Sequence, residues 1–106
     1  ELFKHFGYSH MHMGTVEGDF SIESFLDKLK NLHPAHVHLA PFMIVAGDHA
    51  TNDMSGEDDD SWKSILEKEG YSVKCTLKGL GEIQAVRDIF IRHTKAGLDR
   101  LSEIQA

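Results

Sequence analysis

Cysteine, long hydrophobic runs and positive charge are all scarce in this sequence. A single cysteine excludes an internal disulfide framework and is typical of a reducing compartment, so we expect a cytoplasmic protein. The longest mostly apolar stretch, Leu39 to Gly47, is far shorter than the roughly 20 residues of a membrane-spanning helix, and we expect no membrane partner. Lys and Arg number 11 against 17 Asp and Glu, a net charge of −6, which argues against nucleic-acid binding because no basic stripe neutralises phosphates.

Histidine, in contrast, is abundant. The chain has 106 residues, which suffices for one domain, and its hydrophobic content of 41% is ordinary for a globular protein. Eight of these residues are histidines, the side chains that most often bind metals or move protons near neutral pH. They are His5, His10, His12, His33, His36, His38, His49 and His93.

Hydrophobic periodicity predicts alternating helices and strands, in the order α-β-α-β-α-β-α. Helices between strands act as crossover connections, so the pattern predicts a mostly parallel sheet with helices covering both faces. The first predicted helix ends at Gly7, and the long polar stretch from Asp48 to Asp60 is predicted to be a functional loop. The predicted strands cover residues 9–16, 36–42 with a continuation to 47, and 71–78, the last as an edge strand; the other predicted helices cover residues 22–32, 62–69 and 83–104.

Two polar residues follow the first two predicted strands, where ligands bind in open parallel sheets. Glu17 follows the first strand and His49 follows the second, so adjacent parallel strands would bring them to one edge. A carboxylate and an imidazole suit either a borderline divalent cation or a proton-transfer step. Two ligands do not close a metal site, so substrate, water or a third residue must complete it. The simpler alternative is that both are polar loop residues.

Other patterns give weaker predictions. His10 and His12 share a strand face, as do His36 and His38, and four imidazoles could bind metal; semi-buried or interface positions are the favoured interpretation. The acidic run from Glu57 to Asp60 lacks the spacing of a calcium loop, and the helix dipole explains it. The glycines at 79 and 81 are a weak dinucleotide-turn signal, and the cysteine at 75 lies on the apolar face of its strand.

Several motifs, ordered along residues 1–93, together resemble the C-terminal half of the anaerobic cobalt chelatase family, the sirohydrochlorin cobaltochelatases of the CbiK type. No single motif is as specific as the ordered set. The motifs are Gly14-Thr15-Val16-Glu17-Gly18, the stretch from Pro41 to Ala50, Asn52-Asp53-Met54, the stretch from Asp59 to Ser64, and the stretch from Leu77 to Glu82.

The resemblance implies a class II chelatase-like fold, a three-layer α/β/α domain with a mostly parallel sheet, and a second, similar domain across a tetrapyrrole cleft. It implies insertion of Co(II), as substrate metal, into sirohydrochlorin without ATP or an organic cofactor. Glu17 and His49 correspond to two of the family's metal ligands, and each is also implied in catalysis, with Glu17 as ligand or proton acceptor. The family's third ligand, a histidine on a Gly-His-Gly-Thr-like strand, has no counterpart here.

We therefore expect residues 1–106 to be most of the C-terminal chelatase domain, without the N-terminal domain and the first strand of this one. A tetrapyrrole- or metal-binding module without turnover is the alternative, and a small homodimeric chelatase is a weaker one, so a homo-oligomer stays open. Cobalt, iron and nickel all accept imidazole and carboxylate ligands, and the sequence does not decide among them.

Overall fold

A computed structural model of the chain describes residues 5–105. Between residues 22 and 105 of the described part, three α-helices and two β-strands follow one another, with a π-helical turn and a 3-10 turn between them. The order is α1 (Ile22–Leu32), β1 (His36–Leu39), the π-helical turn (His49–Met54), α2 (Trp62–Lys68), β2 (Ser72–Cys75), the 3-10 turn (Leu80–Glu82) and α3 (Gln84–Gln105).

Helix α1 forms where the sequence predicts it, because apolar residues recur at helical spacing. Ser21 occupies the N-cap position, yet its hydroxyl makes no cap hydrogen bond; the Ser24 hydroxyl instead donates to the Ser21 carbonyl at 2.7 Å. The helix ends at His33, whose φ of 49° is left-handed and whose N–H donates to the Leu29 carbonyl. Pro34 follows and cannot continue the helix.

Helix α2 is capped by Ser61. The Ser61 hydroxyl accepts from the Ser64 N–H at 3.1 Å and donates to the Gly56 carbonyl at 2.7 Å, and the residue is fully buried. Leu66, 1% exposed, anchors the helix against the rest of the chain. The cap therefore joins the helix to the loop before it as well as starting it.

Strands β1 and β2 pair in parallel, which confirms the predicted parallel α/β arrangement in its coarse form. The register places His36 beside Ser72 and Leu39 beside Cys75. In both strands exposed and half-buried residues alternate, as the sequence predicts for the second of them. Both strands are shorter than predicted, since pairing covers only residues 36–39 of the first and 72–75 of the second.

The prediction of a strand over residues 9–16 is wrong. Residues 11–15 pair with no strand among the described residues, and an extended segment needs such a partner to become one. The segment instead packs on helices: a Cβ on Gly14 would lie 2.5 Å from the Phe25 ring and 2.8 Å from the Trp62 ring. The bend that follows it is closed by the Thr15 N–H, which donates to the Phe20 carbonyl at 2.8 Å.

Within residues 5–105 one face of the sheet is exposed, so the expected covering of both faces by helices is not confirmed there. His36 and His38 are exposed on one face of the sheet, and His10 and His12 are exposed in the segment before α1. The His38 Nε2 lies 2.6 Å from the Thr76 hydroxyl of the neighbouring chain segment, which gives this imidazole a cross-strand hydrogen bond. These four histidines are therefore not semi-buried within the described part of the chain.

Helix α3 extends to residue 105, close to the predicted end, and it packs mainly against the 3-10 turn before it. The radius of gyration is 18.2 Å, against about 13 Å for a compact chain of this length. The molecule accordingly measures 63 × 31 × 25 Å.

Among the described residues, no helix is both long and apolar enough to cross a membrane. The first predicted helix lies partly outside the described residues. Within them, His5 is helical and Gly7, where this helix is predicted to end, has a φ of 80°.

Candidate functional site

The chain segments that leave β1 and β2 run side by side beyond the sheet. The Leu80 N–H donates to the Met43 carbonyl at 2.7 Å, and the Gly81 N–H donates to the Ile44 carbonyl at 3.0 Å. Gly79 is buried, and a Cβ there would collide with the Ile44 carbonyl oxygen. Close backbone approach thus accounts for this glycine, so the dinucleotide-turn interpretation is not needed.

The 3-10 turn at this edge is fixed by its own side chains. The Glu82 carboxylate accepts from the Gly79 N–H at 2.9 Å. The Arg87 guanidinium donates to the Gly81 carbonyl at 3.1 Å and to the Gln84 side-chain oxygen at 2.7 Å. The loop after β2 is therefore held in one conformation against the loop after β1.

His49 begins the π-helical turn, within the stretch predicted to be a functional loop. Ala50 and Met54 are 2% and 8% exposed and hold the inner side of the turn. The Ser55 N–H donates to the Ala50 carbonyl at 3.2 Å, the i→i−5 pattern of a π-helix, and π-helical turns occur frequently at functional sites. The opposite side of the turn carries His49 and Asp53, which face solvent.

The His49 imidazole is hydrogen-bonded to one carboxylate. Its Nδ1 lies 2.7 Å from the Asp53 Oδ2, with the two side chains 73% and 43% exposed. The Asp53 hydrogen bond and charge raise the pKa of His49 above its ordinary value, and the charges of Glu17 and Asp48 add to the effect. Since an ionised carboxylate only accepts hydrogen bonds, Nδ1 carries the proton and Nε2 is the nitrogen left for a ligand.

Glu17 lies in an exposed bend that is followed by Gly18, whose φ of 98° favours glycine. The Glu17 carboxylate contributes to the raised pKa of His49, so the two predicted residues influence each other electrostatically. Within residues 5–105, no hydrogen bond or ion pair joins them. The structure thus places Glu17 and His49 close enough to interact through their charges, but not in direct contact.

An open cleft of about 230 Å³ adjoins both loops. Val16, the neighbour of Glu17, and Asp53, the partner of His49, both line it. The cleft lies between the beginnings of α1 and α2, and its other lining residues are Ser21, Ile22, Glu23, Asp60, Trp62 and Ile65. Its lining combines apolar side chains with carboxylates.

Metal binding by a ready-made cluster has no support in the described part of the chain. No group of three or more His, Cys, Asp or Glu side chains is placed there to hold an ion, and this includes the His-x-His pairs. His12 instead packs edge-on against Phe25, with ring centroids 6.1 Å apart. Burial raises the pKa of the Cys75 thiol, which fits the predicted position on the apolar face better than a reactive role.

Asp53 is the residue to which the sequence analysis gave no role. It falls inside the Asn-Asp-Met motif and four residues after His49, a spacing that places two side chains on one face of a helical turn. That spacing was a usable signal, but it was hidden because the stretch was predicted to be an irregular loop.

Comparison with known proteins decides the family. Residues 1–99 match the family described as "Cobalt chelatase (CbiK)". The chain belongs to the cobalt chelatase family. The matched residues include Glu17, His49 and Asp53, together with the loops after both strands.

Two curated relatives of this cobalt chelatase chain are similar over most of its length. The "Sirohydrochlorin cobaltochelatase" of Salmonella typhimurium (strain LT2) is 40% identical over 91 residues, which are 86% of this chain and 34% of the relative. The "Sirohydrochlorin cobaltochelatase CbiKC" of Nitratidesulfovibrio vulgaris (strain Hildenborough) is 36% identical over 94 residues, 89% of this chain and 33% of the relative. The chain thus spans about a third of the length of the curated relatives it matches.

Proposed function

We propose that this chain is the catalytic part of an enzyme that inserts Co(II) into sirohydrochlorin. The observation that carries the proposal is the arrangement of Glu17 and His49 on loops beside one cleft, in a chain that matches the cobalt chelatase family over residues 1–99. Both curated relatives are named for this activity. Because the chain corresponds to about a third of each, we propose that it is most of the C-terminal domain of a protein of their length.

The chemistry of the reaction assigns a role to each residue. Metal insertion removes two protons from pyrrole nitrogens and transfers a hydrated cation into the macrocycle. We propose that His49 binds the cation through Nε2, and that Glu17 is a second ligand or accepts a proton. A carboxylate and an imidazole on open loops hold an ion weakly enough to release it, unlike a closed structural site.

The finer fold expectation belongs to the same proposal. A parallel pair with helices is what the described residues contain. The three-layer α/β/α arrangement of a class II chelatase, with a second domain across the cleft, would cover the exposed sheet face that carries His36 and His38. We also propose a cytoplasmic protein that uses no organic cofactor and binds neither nucleic acid nor membrane; a homo-oligomer stays open.

The competing function is a tetrapyrrole- or metal-binding module without turnover. The observation that favours it is that the described residues hold no group of three side chains that could bind a metal ion. The two functions differ in whether metal appears inside the macrocycle after mixing with free Co(II).

The test is a metal-insertion assay with sirohydrochlorin on the complete protein, comparing Co(II), Fe(II) and Ni(II). Glu17→Ala and His49→Ala should each abolish cobalt insertion and leave the far-ultraviolet circular dichroism unchanged. Glu103→Ala and His93→Ala, which change the same residue types on the exposed helix α3, are the matched controls and should keep wild-type turnover. Near-normal turnover of the Glu17 or His49 variant would contradict the assignment, and binding without insertion by the wild-type protein would favour the module.

A further inference from the structure

We propose that Asp53 is a positioning residue: it orients the His49 imidazole so that Nε2, and not Nδ1, meets the incoming Co(II). This inference rests on the proposed role of His49 as a metal ligand. It begins from the contact between the two side chains, in which the His49 Nδ1 lies 2.7 Å from the Asp53 Oδ2.

The contact arises from the geometry of the π-helical turn. Residues four apart lie on nearly the same face of such a turn, and Ala50 and Met54 form the corresponding buried pair on its inner side. The Ser55 hydroxyl donates to the Ala50 carbonyl at 3.1 Å, which holds the end of the turn. A turn fixed on its inner side therefore presents His49 and Asp53 together on its outer side.

The loop after the turn fixes it further. The Gly56 N–H donates to the Asn52 carbonyl at 3.2 Å, and a Cβ at Gly56 would collide with that same carbonyl oxygen. The Gly56 carbonyl in turn accepts from the buried Ser61 hydroxyl at the start of α2. The backbone that carries Asp53 is thus connected to a helix cap, so the carboxylate has a defined position toward which the imidazole turns.

The hydrogen bond is the restraint that matters for His49, because the side chain is 73% exposed. In the described part of the chain, Asp53 is its only hydrogen-bond partner. A free imidazole exchanges between two tautomers and rotates about two side-chain bonds. The carboxylate selects the tautomer with the proton on Nδ1 and fixes the ring plane, which leaves the Nε2 lone pair directed outward.

Carboxylate partners of this kind orient histidine ligands at metal sites in general, and their removal weakens metal affinity about 10- to 100-fold. Asp53 also lines the cleft between the beginnings of α1 and α2, so the oriented ring stands at the rim of that cleft. The alternative is that Asp53 binds the cation directly, and the two roles predict different behaviour for the amide substitution.

The experiment compares Asp53→Ala, Asp53→Asn and His49→Ala in the complete protein. Affinity for Co(II) alone is measured by titration, and KM for Co(II) and kcat are measured during insertion. We expect Asp53→Ala to weaken Co(II) affinity and raise KM about 10- to 100-fold, with a much smaller change in kcat. Asp53→Asn keeps an acceptor oxygen, so its loss should be smaller, within about tenfold. Asp58→Asn removes the same charge from the following loop and should match the wild type.

A second readout is independent of activity. Nitrogen-15 NMR of histidine side chains, recorded at alkaline pH where the ring is neutral, should show His49 protonated on Nδ1 in the wild type and as a tautomer mixture in Asp53→Ala. An unchanged tautomer or wild-type affinity in a folded Asp53→Ala protein overturns the inference, whatever His49→Ala does to turnover. A loss in Asp53→Asn as complete as in His49→Ala would also overturn it, because Asp53 would then be a ligand. Full turnover in His49→Ala would instead overturn the proposed function and leave the tautomer result standing.

Discussion

The site region, residues 35–82, and helix α3 are built in opposite ways. The site region contains Leu66, Ala50 and Met54 as buried anchors, and hydrogen bonds connect its strands, loops and cap. Helix α3 has no buried side chain among the described residues, and Leu101 and Ile104 on it are 53% and 76% exposed. Its 22 residues are helical through local hydrogen bonds and propensity. His49 and Asp53 thus lie in the region whose geometry is determined by packing, whereas Glu17 lies outside it in an exposed bend.

Removing the central anchor should show the contrast most strongly. Leu66 is 1% exposed, so Leu66→Ala leaves a cavity and should lower the free energy of unfolding by about 2–5 kcal/mol. Leu101→Ala is the matched substitution on α3 and should change it by no more than about 0.5 kcal/mol. Urea denaturation measures both. If the two substitutions cost the same, α3 is packed as tightly as the site region and the comparison is wrong.

Much of the described fold follows from the sequence. The bounds of α1 and α2 agree with the prediction to within one residue, because apolar spacing is a local signal. The parallel pairing of β1 with β2 follows from their alternation and from the crossover helix between them. Glu17 lies in an exposed bend and His49 in the π-helical turn after β1, and their predicted roles stay predictions.

The wrong and missed predictions concern features that the sequence of one segment does not determine. Residues 9–16 have the composition of a strand, but a strand exists only through its neighbour, and Gly14 packs on two aromatic rings instead. The π-helical turn depends on the hydrogen bond from the Ser55 N–H to the Ala50 carbonyl and on the burial of Ala50 and Met54. Hydrophobic periodicity reveals neither feature. The bond from His49 to Asp53 was missed for the same reason.

Adding one methyl group should have opposite effects in the two regions. At Gly79 a Cβ would collide with the Ile44 carbonyl, so Gly79→Ala should push the two loops apart and lower the free energy of unfolding by about 1–3 kcal/mol. At Gly97, within α3, the space is open and alanine is the better helix former, so Gly97→Ala should raise it by about 0.5–1 kcal/mol. Thermal denaturation followed by circular dichroism detects both signs. Equal signs would contradict the proposed close approach at Gly79.

Removing one hydroxyl should lower the free energy of unfolding in the site region but not in α3, with a smaller difference than the substitutions above. Ser61→Ala loses the cap bond to the Ser64 N–H and the bond to the Gly56 carbonyl, which should lower the free energy of unfolding by about 1–2 kcal/mol. The Ser102 hydroxyl only donates to the Leu98 carbonyl within α3, so Ser102→Ala should be neutral or slightly stabilising. Hydrogen exchange of the loop amides should rise in the first variant alone; uniform protection in both would mean that Ser61 does not hold the loop.

The smallest expected effect is the pH dependence of the His49–Asp53 pair. Because the pKa of His49 is raised above its ordinary value of about 6.5, chiefly by the Asp53 hydrogen bond, the pair stabilises the folded chain fully below that value. The contribution is lost as the pH rises through the folded-state pKa. Asp53→Asn should therefore shift the NMR titration midpoint of His49 to lower pH, whereas Asp99→Asn, which removes the same charge from α3, should leave it in place. If the titration midpoint of His49 stays in place in Asp53→Asn, the hydrogen bond from His49 to Asp53 does not raise the pKa of this imidazole.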